Sequence, residues 1–347
     1  MYIKKILLAI ALLGVLAGGV FVYMVYDAIF APNTAFDNKE AYVYVASDDT
    51  FKDVLQQISP LLKDPESFAD IAGKKGYVSN IKPGRFLIKK GMNNNDIVNS
   101  IRSRNLPLDI SFNNQERLED LAGRIAVQIE ADSLELIQAF RDAAFLKENG
   151  FNEDTALGMY IPNTYEFFWN TGAESFRDRM LKEYNRFWNE DRLAKADKLN
   201  LTPGEVTALA AIVQKETAKV DERPRVAGVY LNRVRKRMPL QADPTVIYAM
   251  KKESGNFDMV VKRVLLKDLK IDSPYNTYRN AGIPPGPIAM PDISSIDAVL
   301  QAERHNYLYF VADTQNFGYH KFAKTLAEHN RNAAKYRQWI DSQGVKR

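Results

Sequence analysis

The stretch PGEVTALAAIVQKETAKV, Pro203 to Val220, governs how the rest of the chain is read. Pro203 suits a first helical turn, and Thr202 before it is a plausible N-cap. Val206, Leu209, Ile212, Val213 and Val220 fall at helical spacing and form an apolar stripe. Glu216 comes three residues after Val213 and four after Ile212, so it lies on that stripe, while Lys215 and Thr217 point elsewhere. A carboxylate on an apolar face is costly unless it is paired or kept neutral. Apolar walls raise the pKa of a glutamate, which is what a general acid near neutral pH requires. Two readings fit: a catalytic acid, or a glutamate that closes the stripe and pairs with Arg223 or Arg225.

Downstream, VAGVYLNRVR (226–235) predicts an amphipathic helix, and LQADPTVIY (240–248) follows. Asp243 before Pro244 reads as a helix start with Asp as N-cap, which accounts for it without chemistry. Gln241 and Tyr248 are less accounted for and suit contact with a sugar. SPYNTY (273–278) leads into GIPPGPI (282–288), too proline-rich for a helix or central strand and therefore a stiff loop. Such a loop beside tyrosines and an amide can wall a carbohydrate cleft, because aromatic faces pack on sugar rings and amides bond hydroxyls. An ordinary Pro-Gly connector is the competing reading.

Composition narrows the chemistry. With 46% hydrophobic and 26% charged residues the chain can bury normal cores, and its 347 residues allow two modest domains plus an anchor. The net charge of +4 is too small to point to an acidic partner, and no basic cluster is built for nucleic acid. Cysteine is absent, which excludes disulfides, thiolate catalysis and Cys-ligated metals. His305, His320 and His329 are the only histidines, and none has the H-E-x-x-H spacing of a zinc hydrolase. No G-x-S-x-G elbow or Walker loop is present, so carboxylates and amides must carry the chemistry, and no cofactor is expected.

At the N-terminus, Ile6 to Tyr26 is an uncharged run, ILLAIALLGVLAGGVFVYMVY. As a helix rising about 1.5 Å per residue it spans roughly the 30 Å hydrocarbon core of a bilayer. Lys4 and Lys5 precede it and Asp27 follows, so the positive-inside rule exports the body of the chain. A signal peptide cut after Ala31 is the rival, disfavoured by the length of the run, bulky Ile29 and Pro32 after the cut. After a polar linker (Pro32–Lys39), Ala41–Ala46 reads as a strand, and a helix begins near Ser47–Asp49. A second short helix follows, then a strand after the Lys82-Pro83-Gly84 turn and a capped helix over Asn93–Arg102. This unit resembles a LysM-type glycan-binding module, mainly through KPGRFLIKKGMNNNDIV, although a scaffold that binds no sugar fits as well. Residues 107–113 predict a strand, followed by helices around Glu116–Glu130 and Ser133–Leu146.

Taken in order, GMYIPNTYEF (158–167), AAIVQKET (210–217) and VYLNRVRKRMPLQADPTVIYAM (229–250) resemble the endolytic murein transglycosylases, the YceG-like or MltG family. SPYNTYRNAGIPPGPIAMP (273–291) and YFVADTQNFGYHKFAKTLAEHN (309–330) continue the match. The resemblance implies an α+β fold: a single transmembrane helix, a small LysM-like α/β subdomain and a mixed α+β catalytic domain. The expected boundaries are 1–27 for tail and anchor, 28–40 linker, 41–104 LysM-like, 105–156 bridging and 157–347 catalytic. It implies Glu216 as the catalytic acid/base, with Asn232, Gln241, Asp243, Tyr248, Tyr275 and Asn276 in cleft motifs that contact substrate. Gln214 stands where many members carry a second Glu, which leaves Glu216 as the clearer candidate, and Asn163 replaces a frequent Asp.

The implied activity is cleavage of the β-1,4 bond between N-acetylmuramic acid and N-acetylglucosamine within nascent strands, leaving 1,6-anhydro ends. The implied partners are peptidoglycan strands, the bacterial inner membrane through residues 6–26, and peptidoglycan synthases, with the catalytic body in the periplasm. A muramidase-like hydrolase using Asp243 as second carboxylate and a non-catalytic wall-binding adaptor are the alternatives.

Overall fold

The computed structural model describes residues 2–342. The protein is a mixed α+β chain that divides into two compact units. The first holds the chain up to Ile110 with Gln128–Ala131 and Tyr165–Gly172; the second holds Ser111–Val127, Asp132–Thr164 and the chain from Ala173 onward.

The first unit begins with helix α1 (Tyr2–Phe30), which is long and apolar enough to cross a membrane and buries none of its side chains. Strand β1 (Glu40–Val45), helices α2 (Phe51–Ile58) and α3 (Pro65–Lys74), strand β2 (Gly84–Lys89) and helix α4 (Asn94–Ser103) follow. The strand–helix–helix–strand order expected from the sequence is therefore present. β1 and β2 pair antiparallel, with Val43 opposite Phe86 and Val45 opposite Gly84. Alternation sends Val43, Val45, Phe86 and Ile88 into a core completed by Ile58, Phe68, Ile97 and Ile101. Gly84 is required where it stands: its φ is +143°, and a Cβ there would collide with the Asn105 amide.

The linker after α1 has no slack. Pro32 bridges to Asn93 and Thr34 to Leu62, and the Ala35 N–H donates to Leu61 O at 2.8 Å. Asn33 is buried; its Nδ2 donates to Asp64 O at 2.8 Å and Asn94 Oδ1 at 2.7 Å, and its Oδ1 accepts from Asp64 N at 2.8 Å. Asn94 in turn donates to Ala28 O at the end of α1 (2.8 Å).

Strand β3 (Pro107–Phe112) pairs with β4 (Asn163–Phe168), and the division between units runs through both strands. Between them lie α5 (Leu118–Ala126), α6 (Ser133–Phe140) and α7 (Ala143–Glu148). The helices expected over 116–130 and 133–146 are shorter than anticipated. The second is interrupted because the Asp142 carboxylate caps a new helix, accepting from the Ala144 and Phe145 N–H groups.

Helices α8 (Ala173–Phe187), α9 (Glu190–Leu199), α10 (Pro203–Glu216), α11 (Arg223–Arg235), α12 (Asp243–Ser254) and α13 (Ile293–Leu300) build the second unit. Its last elements are the hairpin β5 (Tyr309–Ala312) and β6 (His320–Ala323) and helix α14 (Leu326–Ser342). Helix α10 starts as the sequence anticipates, with a Thr202–Glu205 capping box and Pro203 in the first turn. It is more deeply placed than a one-sided stripe suggests: every residue from Val206 to Val213 is buried, against α9, α11, α12 and α13. Val220, counted on the stripe from spacing, lies beyond the helix end at Glu216 and is exposed. The helical period stops at Thr217, whose backbone is extended.

Candidate active site

Glu216 is the last residue of α10, carried to the end of an almost wholly apolar helix. The salt-bridged alternative is not realised. Arg223 donates to Ser294 Oγ at 2.8 Å and lies 3.5 Å from Asp292, while Arg225 pairs with Glu303 at 2.8 Å. Glu216 instead lines a cavity of about 330 Å³ with Tyr230, Arg233, Gln241, Asp243, Tyr278 and Tyr309. Burial pushes its pKa up to about 7. A hydrogen bond from the Tyr230 hydroxyl to Oε1 (3.0 Å) acts in the opposite direction, the charge of Asp243 adds to the rise, and His320 and Arg233 oppose it. A carboxyl balanced near neutrality can both give and take a proton. With Oε1 accepting from Tyr230, Oε2 is the oxygen left to carry a transferable proton.

Asp243 is the first residue of α12 rather than its cap. Ala242 is the N-cap, and the Asp243 carboxylate accepts the Tyr278 hydroxyl at 2.6 Å. The helix-start reading therefore misplaces it by one position, because the extended residue that precedes the helix is Ala242. The loop before it is held in a rare conformation: Gln241 has φ +50° without being glycine, a strain of order 1–3 kcal/mol. Thr277 holds it there: its carbonyl accepts from Gln241 N and its hydroxyl from Ala242 N, both at 3.0 Å. Strain over-determined in this way at a cavity wall is characteristic of functional sites.

Of the residues singled out from sequence, Glu216, Gln241 and Asp243 meet in the cavity; Asn232, Tyr248, Tyr275 and Asn276 do not line it. Asn232 Nδ2 donates to the carbonyls of His305 (2.8 Å) and Tyr307 (3.1 Å), bracing the segment that leads into β5. Buried Asn276 Nδ2 donates to Leu269 O and Ile271 O at 3.0 and 2.8 Å. Tyr275 donates to Asp154 at 3.0 Å and packs on Tyr248, with ring centroids 4.7 Å apart. Burial pushes the Tyr248 hydroxyl up to about 12, and Tyr248 lines a separate, smaller recess with Glu116, Lys215 and Lys251. Gln214 braces α13, accepting from Asp292 N and from Ser295 Oγ (3.0 Å).

Sequence reasoning missed Tyr230, Arg233, Tyr278, Tyr309 and His329 as cavity residues. Tyr230 and Arg233 are three apart on α11 and share a face, a signal that spacing could have supplied. Arg233 is buried, and it donates to the Leu308 and Leu240 carbonyls at 2.7 Å each. His329 stacks on Tyr309 (5.3 Å), and burial, with Arg233 and Arg337 nearby, lowers its pKa.

A glutamate balanced near neutrality in a cavity walled by tyrosines, on a mixed α+β unit, describes the site. The profile of the YceG-like family matches residues 43–335, and the chain belongs to that family. It is 31% identical over 293 residues to the endolytic murein transglycosylase of Bacillus subtilis (strain 168), covering 80% of this chain and 78% of that one. The endolytic murein transglycosylase of Streptococcus pneumoniae (serotype 2, strain D39) is 27% identical over 365 residues. That alignment covers 96% of this chain but 65% of the longer pneumococcal protein. Among solved structures, a yceG-like protein from Listeria monocytogenes is 26% identical with a TM-score of 0.57, covering 85% of this chain and 99% of that one.

Proposed function

We propose that the chain is an endolytic murein transglycosylase that cuts peptidoglycan glycan strands with Glu216 as its acid/base. The observation that carries this reading is a glutamate held near pKa 7 by burial, at the end of α10 in a tyrosine-walled cavity. The names of the bacillary and pneumococcal relatives support it. Protonated Glu216 donates through Oε2 to the glycosidic oxygen as the bond to the muramic acid anomeric carbon breaks. The resulting carboxylate then takes the proton from the same sugar's 6-hydroxyl, whose oxygen attacks that carbon and closes a 1,6-anhydro ring. The attack is intramolecular, so one carboxyl can serve where hydrolases use two. Gln241 and Asp243, which line the same cavity, serve as substrate contacts, and Tyr230 tunes the acid.

Helix α1 is read as a single-pass inner-membrane anchor with the remainder periplasmic, from Lys4 and Lys5 on one side and Asp27 on the other. The β1–α2–α3–β2 unit is read as a LysM-like glycan grip. An anchored enzyme reaches new strands near the membrane, so the proposed role is terminating their growth close to the synthases. Asp243 in the same cavity specifically favours one competitor, a muramidase-like hydrolase.

Digestion of purified sacculi by the full-length protein tests the reading through the masses of the new chain ends. Anhydro ends are expected. Reducing ends would mean a hydrolase, and binding without released fragments would mean an adaptor.

A further inference from the structure

Six residues beyond Glu216, in the turn between α10 and α11, stands a second carboxylate that the mechanism does not use. Glu222 is 5% exposed, yet all its bonds are directed rather than loose. Its Oε1 accepts the His320 backbone N–H at 2.7 Å, and its Oε2 accepts both the Thr217 hydroxyl (3.0 Å) and His320 Nδ1 (2.8 Å). Burial alone would push Glu222 up, but these bonds hold it below the ordinary carboxylate range, so it is ionised near neutral pH. An ionised carboxylate only accepts, so His320 Nδ1 carries the proton it shares with Glu222.

Both partners of Glu222 adjoin the acid. Thr217 is the residue after Glu216 and caps α10, its N–H donating to Val213 O at 3.2 Å. The His320 ring meets Phe310 edge-on at 5.0 Å; Phe310 lines the cavity and meets Tyr230 edge-on at 5.9 Å. Tyr230 closes the circuit with its hydrogen bond to Glu216. A single buried carboxylate thus ties the end of the acid's helix to the first residue of β6, through groups packed around the acid on two sides.

We infer that Glu222 and His320 are positioning residues for Glu216, fixing the end of its helix and the imidazole packed against the cavity wall without touching the glycan. The inference rests on Glu216 being the acid, as proposed above. Four groups act on Glu216 from the elements around it: Tyr230 and Arg233 on α11, Asp243 on α12 and His320 on β6. Among them, His320 is the one whose ring is held by Glu222, through Nδ1. Its charge favours the ionised form of Glu216, so losing it weakens the acid and keeps Glu216 protonated to higher pH.

The experiment compares the full-length wild type with His320→Gln, Glu222→Gln and Thr217→Val by two readouts. One is kcat and KM on purified glycan across pH. The other needs no turnover: the pH midpoint of carbodiimide labelling at Glu216, which requires the protonated acid, followed by peptide mass spectrometry. We expect kcat to fall at least about tenfold in each variant with KM within about twofold, since small misplacements of a reacting group are costly. The labelling midpoint and the alkaline limb of the rate profile should move upward in His320→Gln and Glu222→Gln. Unchanged midpoints with wild-type kcat in folded variants overturn the inference. If the wild type cleaves no glycan but the midpoints still move, positioning stands and the glycan reading fails. Should the His320 and Glu222 variants unfold on melting, Thr217→Val decides, because it removes one hydroxyl only; wild-type kcat there overturns the proposal.

Discussion

Asn33 in the first unit and Glu216 in the second are both polar groups drawn in from the surface, and the fold treats them in opposite ways. Asn33 has its oxygen and its amide bonded, to Asp64 and Asn94. Among the described residues, Glu216 receives a hydrogen bond from Tyr230 and otherwise faces the cavity. A buried polar group with matched partners is a rivet, whereas one left short of partners pushes its pKa toward the working range. Asn33 is buried and fully bonded, whereas half-buried Glu216 faces the cavity with fewer partners.

The largest effect that could break this contrast is on turnover. Glu216→Gln should lower glycan cleavage by about 10²–10⁴-fold, the usual contribution of a general acid, while leaving sacculus binding intact in a pull-down. Wild-type cleavage would move the chemistry elsewhere. Asn33→Ala should do the reverse, destabilising the first unit by about 1–3 kcal/mol through unpaired groups at Asp64 and Asn94. Faster proteolysis around residues 31–40, with unchanged cleavage of soluble glycan, is the expected signature, and a lost rate would contradict it.

Smaller shifts sharpen the comparison. Asp243→Asn removes a charge that raises the Glu216 pKa, so the alkaline limb of the rate profile should move down. Tyr230→Phe removes a bond that favours the ionised form, so the limb should move up. Motion in the same direction for both would refute the electrostatic account of the site. The smallest effect is on stability. The folded pKa of Glu216, about 7, lies above its ordinary 4.5, so its contribution is fully present below 4.5 and lost as pH rises through 7. The melting temperature of Glu216→Gln should accordingly fall less than that of the wild type as pH rises from 4.5 to about 7, the interval between the two pKa values.

Local signals carried the helix of Glu216 well, since Thr202, Pro203 and the apolar spacing are all read within a few turns. They carried the β1–α2–α3–β2 unit for the same reason. The cavity was less legible because its walls come from far along the chain: Tyr309 and His329 arrive from the C-terminal hairpin and helix. Arg233 was hidden by its type, since an arginine in an amphipathic helix reads as solvated until the Leu240 and Leu308 carbonyls are seen to accept from it. For Asn276 and Tyr275, residue identity left open whether they face a ligand or the backbone, and only the fold supplies their partners.

The stitched segment after α1 has a mechanical consequence. A flexible tether lets its cargo sweep a hemisphere whose radius grows with the square root of linker length. Here residues 32–35 are bonded into the α/β unit and Asn94 grips the last turns of α1, so there is no swivel. With α1 in a bilayer, the first unit would lean as the helix leans, and a thinner or thicker membrane would turn it like a dial.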